Sequence, residues 1–129
     1  MCIRDRGGGV AIVFDGNKGD FKKLQLKSLV RKKLEIVAAV GKLNAIRQKH
    51  IIVAAYLPPS YDRNRNKEFM DALCDSISEI KTTHSDCWLT LGGDWNGRPL
   101  EPIINAVPEL AIIETLQGVK TPQQVQNIH

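Results

Sequence analysis

Cys87-Trp88-Leu89-Thr90-Leu91-Gly92-Gly93-Asp94-Trp95-Asn96 joins an apolar run to a glycine pair and two polar side chains. Residues 87–91 read as a buried strand, and Gly92-Gly93 as the turn that ends it. This layout delivers Asp94 and Asn96 to a strand end, where two glycines let backbone or ligand come close. A carboxylate and a carboxamide two residues apart suit a hydrolytic site. The acid handles a water or a metal, and the amide holds an oxygen. The competing reading is plain turn chemistry, because Asp or Asn after a strand caps turns and helices more often than it catalyses.

A second stretch alters the balance. His50-Ile51-Ile52-Val53-Ala54-Ala55-Tyr56 reads as another buried strand, stopped at once by Leu57-Pro58-Pro59-Ser60. Proline cannot donate to a ladder, so the strand must end near Tyr56. A tyrosine hydroxyl is thus offered at a strand end, much as Asp94 and Asn96 are. If the two strands are parallel neighbours in an open sheet, all three groups share one rim, where such sheets place their sites. Taken singly, Tyr56 reads as a core cap with its hydroxyl in water.

The remaining chain reads as scaffold. Residues 10–14 form a short buried strand and 15–19 a turn. Residues 34–40 make a third strand, with Gly41 and Asn44 marking the bend before the Tyr56 strand. From Asn64 to about Thr82, Phe69, Leu73, Ile77 and Ile80 fall on one helical face, a stripe of core packing capped by Asp62 or Ser60. Residues 102–107 read as a short helix with proline in its first turn, and 110–115 as a last strand.

Composition bounds the function classes. At 129 residues and 43% hydrophobic content the chain can bury a core. No apolar run approaches the ~20 residues of a membrane span, and residues 1–6 hold no apolar stretch of the secretory kind. Three cysteines, Cys2, Cys74 and Cys87, lack metal-ligand spacing and read as reduced thiols of an intracellular protein, nuclear or cytoplasmic. A net charge of +4 suits a nucleic-acid partner. Lys18, Lys22, Lys23, Lys27, Arg31, Lys32 and Lys33 form one basic stretch, which reads either as a phosphate-contacting patch or as a solvated hairpin that protects a sheet edge. Arg63 and Arg65, just past Pro58-Pro59, are the stronger candidates for a nucleic-acid clamp.

Taken in order, Gly7-Gly8-Gly9-Val10-Ala11-Ile12, Tyr56-Leu57-Pro58-Pro59, an amphipathic helix and Gly93-Asp94-Trp95-Asn96 resemble the endonuclease/exonuclease/phosphatase superfamily. Within it, the resemblance is to the apurinic-endonuclease-like nuclease domain of non-LTR retrotransposons. That group pairs a strand ending in Tyr-x-Pro-Pro with a later Gly-Asp-Phe-Asn, and Trp95 stands where Phe is usual. The likeness spans residue 7 to about residue 115. It implies an α/β fold, part of a four-layer sandwich of two packed sheets flanked by helices, incomplete at both ends. It implies phosphodiester cleavage with Mg²⁺ or Mn²⁺ on a DNA partner, no membrane, and a reverse transcriptase in the same polyprotein. By the same resemblance, Asp94 orients or deprotonates the attacking water and touches the metal. Asn96 bonds a phosphate oxygen or that water, and Tyr56 donates its hydroxyl to the phosphate.

The sequence also departs from the pattern. The superfamily's upstream acidic ligand has no counterpart, since Asp5 lacks the Gln-Glu-type surroundings. The Asp-His pair is absent too, since His129 follows Ile128. Residues 1–6 match nothing in the family and resemble a translated adapter stub, so the reading sets them aside and takes 7–129 as a partial domain. That reading expects an internal fragment, aggregation-prone through an uncovered sheet face and nearly inactive alone. Two other classes stay open: a different hydrolase of the superfamily, such as a repair nuclease or a lipid or inositol phosphatase, and a non-catalytic remnant or nucleic-acid-binding module.

Overall fold

β-Branched and small apolar side chains dominate residues 36–40 and 50–55, which favours pleated chain over helix. In the computed structural model, which describes residues 1–4 and 9–108, these runs become the two central strands of a sheet. In chain order the elements are β1 (Cys2–Arg4), β2 (Ala11–Val13), β3 (Gly19–Lys23) and, after a 3-10 turn at Lys27–Leu29, β4 (Ile36–Leu43). There follow β5 (His50–Tyr56), α1 (Arg63–Thr83), β6 (Trp88–Asp94) and α2 (Glu101–Ala106). The class is α/β, with a four-stranded sheet ordered β3-β4-β5-β6 and a two-stranded sheet of β1 and β2.

β3, β4 and β5 pair antiparallel, whereas β5 and β6 run parallel. Parallel neighbours need a long crossover, and α1 supplies it. Asp62 caps this helix by accepting from Arg65 N at 2.7 Å, which settles the alternative of Ser60. Phe69, Leu73, Ile77 and Ile80 are all buried. They pack on Ile51, Val53 and Ala55 of β5 and on Ile36, Ala38 and Val40 of β4. Each such side chain contributes about 1.5–3 kcal/mol by leaving water. On the other sheet face Val37 and Ala39 meet Ile3, Ile12 and Phe21. The period-2 alternation of β4 and β5 thus feeds two cores.

Several expectations shift. β4 begins at Ile36 and runs on to Leu43, so Gly41 lies inside it, facing Phe21 and His50 across the ladders. A side chain there would strike the backbone of Asp20 and Phe21, so the glycine serves close strand approach rather than a bend. β6 continues through Gly92 and Gly93 to Asp94 and is an edge strand with largely exposed side chains, Trp88 among them at 55%; the expected buried strand over 87–91 is corrected accordingly. β2 is shorter than 10–14, and of its three residues only Ile12 is buried. Cys2–Arg4, set aside in reading the sequence, pairs with it. The strand expected over 110–115 lies outside the described residues. Among those described, no helix is long and apolar enough to cross a membrane, and Cys2, Cys74 and Cys87 are free.

The connection from β3 to β4 is anchored to α1. Glu79 accepts from Lys27 N and Ser28 N, each at 2.9 Å, and from Ser28 Oγ at 2.8 Å. Burial pushes the Glu79 carboxyl up, but these hydrogen bonds and the nearby Lys27 outweigh it and hold the group below the usual glutamate value. A depressed carboxylate stabilises the fold fully above its unfolded pKa, and that contribution fades as pH falls through the folded value. Glu79→Gln should therefore cost about 1 kcal/mol at pH 7. In urea titrations, the gap to wild type should close as pH drops below about 4.3.

Candidate functional site

The site grows from the register of two parallel strands. Tyr56 closes β5 and Asp94 closes β6, and the two are paired across the ladder. Laterally paired residues share a sheet face, so both side chains rise from one rim on the face opposite α1. Leu57 N donates to Asp94 O at 2.9 Å, which carries the pairing one step past Tyr56 before Pro58 stops it. The shared rim inferred from sequence is thus what the topology provides.

Asn96 sits at φ +48, in the left-handed region that asparagine tolerates better than most residues. Its backbone N–H bonds Asp94 Oδ1 at 3.0 Å, closing an Asx turn. Its side-chain Nδ2 donates to Leu57 O at 2.7 Å. A carbonyl only accepts, so the amide nitrogen must face it. One amide hydrogen is thereby committed to joining the two motif loops. The second hydrogen and Oδ1 have no partner among the described residues. Asp94 likewise keeps one oxygen with no partner among the described residues, and its side chain is exposed.

Two residues of this rim were not legible as candidates. Arg98 Nη2 donates to Tyr61 O at 2.8 Å and to Pro59 O at 3.4 Å, tying the proline loop to the turn after β6. Glu35 stands immediately before β4, where its carbonyl accepts from Tyr56 N at 2.9 Å. That places Glu35, Tyr56 and Asp94 in one row across three strands. Glu35 Oε1 accepts from Gly9 N at 3.2 Å, while its Oε2 is buried with no partner. A charge inside the apolar run 34–40 is its only mark in the sequence, and it does not point to Tyr56.

Arg63 and Arg65 differ in fate. Arg63 is exposed and opens α1. Arg65 is engaged three times within the fold. It meets Glu68 at 2.8 Å, donates to Lys33 O at 2.6 Å, and stacks over the Tyr61 ring at 5.3 Å. A guanidinium so held is a structural tie, which the sequence spacing did not show. We expect Arg98→Ala to lose about 1–2 kcal/mol of stability as the two loops part. Amide exchange at residues 57–61 should quicken in that variant while exchange within α1 stays unchanged.

Among the described residues, no group of three or more His, Cys, Asp or Glu gathers to hold a metal ion. The accessible carboxylate donor at the rim is the free oxygen of Asp94, since Glu35 Oε2 is buried and its Oε1 is bonded to Gly9 N. A hard cation such as Mg²⁺ takes one or two protein carboxylates and fills its shell with water and substrate phosphate, and Asp94 is the rim residue that would hold one. Comparison of the chain with family models, curated proteins and solved structures finds no match.

Proposed function

We propose that this chain forms part of a metal-dependent phosphodiesterase, a DNA endonuclease of the retrotransposon type, working at the Tyr56–Asp94 rim. The observation that supports the reading is the register pairing of Tyr56 with Asp94, with Asn96 fastened to Leu57 beside them. We further infer that the two sheets belong to the four-layer sandwich of that superfamily, with a reverse transcriptase in the same polyprotein.

On this reading the free Asp94 oxygen orients a water and takes its proton. The water oxygen bonds to phosphorus and one P–O ester bond breaks, with the leaving oxygen protonated from solvent. Tyr56 donates its hydroxyl to a non-bridging oxygen as charge builds there, and Asn96 adds its uncommitted N–H. Preorganised donors of this kind act where negative charge develops and need no rearrangement. Asp94 would hold a Mg²⁺ or Mn²⁺, which would supply charge neutralisation for the phosphate. One accessible carboxylate is a thin donor set, so little or no cutting is expected from the 129 residues alone. The test is relaxation of supercoiled plasmid by the full reading frame that contains this chain. Nicking in Mg²⁺ that stops in EDTA is the expected result, and no nicking with either Mg²⁺ or Mn²⁺ defeats the proposal.

A further inference from the structure

The basic stretch read as one patch in the sequence divides in space. Lys18 lies in the turn before β3, at the sheet end far from the rim, where its carbonyl accepts from Asn44 N at 2.7 Å. Lys22 and Lys23 run along the β3 edge. The chain then dips to Glu79, near the C-terminal end of α1, and climbs back to meet Arg65 at the helix start. Arg31, Lys32 and Lys33 occupy this climb. It ends two residues later at Glu35, whose carbonyl is bonded to Tyr56 N. These three cations alone of the stretch therefore lead to the rim.

Their presentation is built, not loose. All three are exposed, and none forms an ion pair among the described residues. Arg31 is held at φ +65, a left-handed conformation that is unfavourable for a side-chain-bearing residue and persists only where its surroundings enforce it. Lys32 N bonds back to Leu29 O at 3.1 Å, and Lys33 O receives the Arg65 guanidinium. The same guanidinium lies over Tyr61, whose carbonyl Arg98 holds. A continuous series of contacts thus joins the cationic climb to the turn bearing Asp94 and Asn96.

We propose that Arg31, Lys32 and Lys33 form the clamp for the phosphate backbone of duplex DNA beside the rim, and that Arg65 is a positioning residue holding this clamp. The proposal rests on the reading of the rim as a DNA-cutting site, which supplies the choice of ligand. Unpaired guanidinium and ammonium groups on an ordered strap neutralise phosphates and release counterions, with little ordering left to be done on binding.

The test is equilibrium binding of the full chain to a labelled duplex in EDTA, across a salt series, so that binding is read apart from cutting. Replacing Arg31, Lys32 and Lys33 together by alanine should flatten the log K against log[salt] slope by about 2.7, making binding about 40-fold less sensitive between 50 and 200 mM salt. Lys18→Ala with Lys22→Ala removes two charges of the same stretch that do not lie on the climb to the rim and should leave the slope unchanged. Lys32→Glu alone, a smaller perturbation, should weaken binding in the same direction. Arg65→Gln should weaken binding in the wild-type background and add nothing to the triple variant. An unchanged slope in the triple variant, or no duplex binding by the wild-type chain, overturns the clamp. A further slope loss of about one from Arg65→Gln in the triple background makes Arg65 a direct phosphate contact and overturns its positioning role. Clamp-dependent binding together with no nicking by the full reading frame sinks the proposed function and leaves the clamp standing.

Discussion

Asp94→Ala, carried in the full reading frame, is expected to lower plasmid nicking by ~10² to 10³ or more, while its circular dichroism and urea midpoint stay those of wild type. The separation follows from where Asp94 spends its atoms. Its backbone carbonyl holds Leu57 N and survives the substitution. Among the described residues its side chain accepts a single hydrogen bond, from Asn96 N, and is otherwise exposed. Losing that bond costs about 1 kcal/mol at most, because the freed N–H can turn to water. The activity loss is therefore not a folding loss in disguise. Full nicking by this variant would remove Asp94 from the chemistry.

The second large effect concerns the glycines of the same motif, which are not equivalent. A Cβ on Gly93 would press into the Ala55 carbonyl oxygen, well under 3.0 Å away, and would crowd Trp95 at 3.2 Å. A Cβ on Gly92 meets nothing within 4 Å. Backbone cannot yield as a flexible side chain does, so Gly93→Ala must push β6 off β5 and break the pairing that sets Tyr56 against Asp94. We expect a loss of at least ~3 kcal/mol, the upper end of overpacking costs, with an aggregated or unfolded product. Gly92→Ala should be neutral or stabilising by a few tenths of a kcal/mol through the unfolded chain. Urea denaturation of the two variants side by side reads the contrast. Equal effects would mean that the two strands do not lie this close.

Much of this architecture was legible beforehand because local physics dictated it. Pro58-Pro59 could only end a strand, so Tyr56 had to stand at a strand end. The spacing of Phe69, Leu73, Ile77 and Ile80 could only make one helical face, so a crossover between parallel strands was implied. What escaped depended on neighbours distant in sequence. Gly41 looked like punctuation until β3 came alongside it. The apolar run 87–91 read as buried because hydropathy cannot say which strand ends at a sheet edge. Arg65 looked like a free cation because nothing in its spacing announces Lys33 and Tyr61 as partners. Glu35 drew no notice because its importance comes from lying opposite Tyr56, a relation set by sheet register.

Tyr56 and Asp94 are proposed to act as one site. A double-mutant cycle on nicking rates, with Tyr56→Phe, Asp94→Asn and the pair, tests this most directly. Groups that serve one transition state lose activity non-additively. We predict that the double variant cuts no more slowly than Asp94→Asn alone, with the fold of all three intact. Two independent losses that multiply, or a Tyr56→Phe variant at wild-type rate, would contradict the claim.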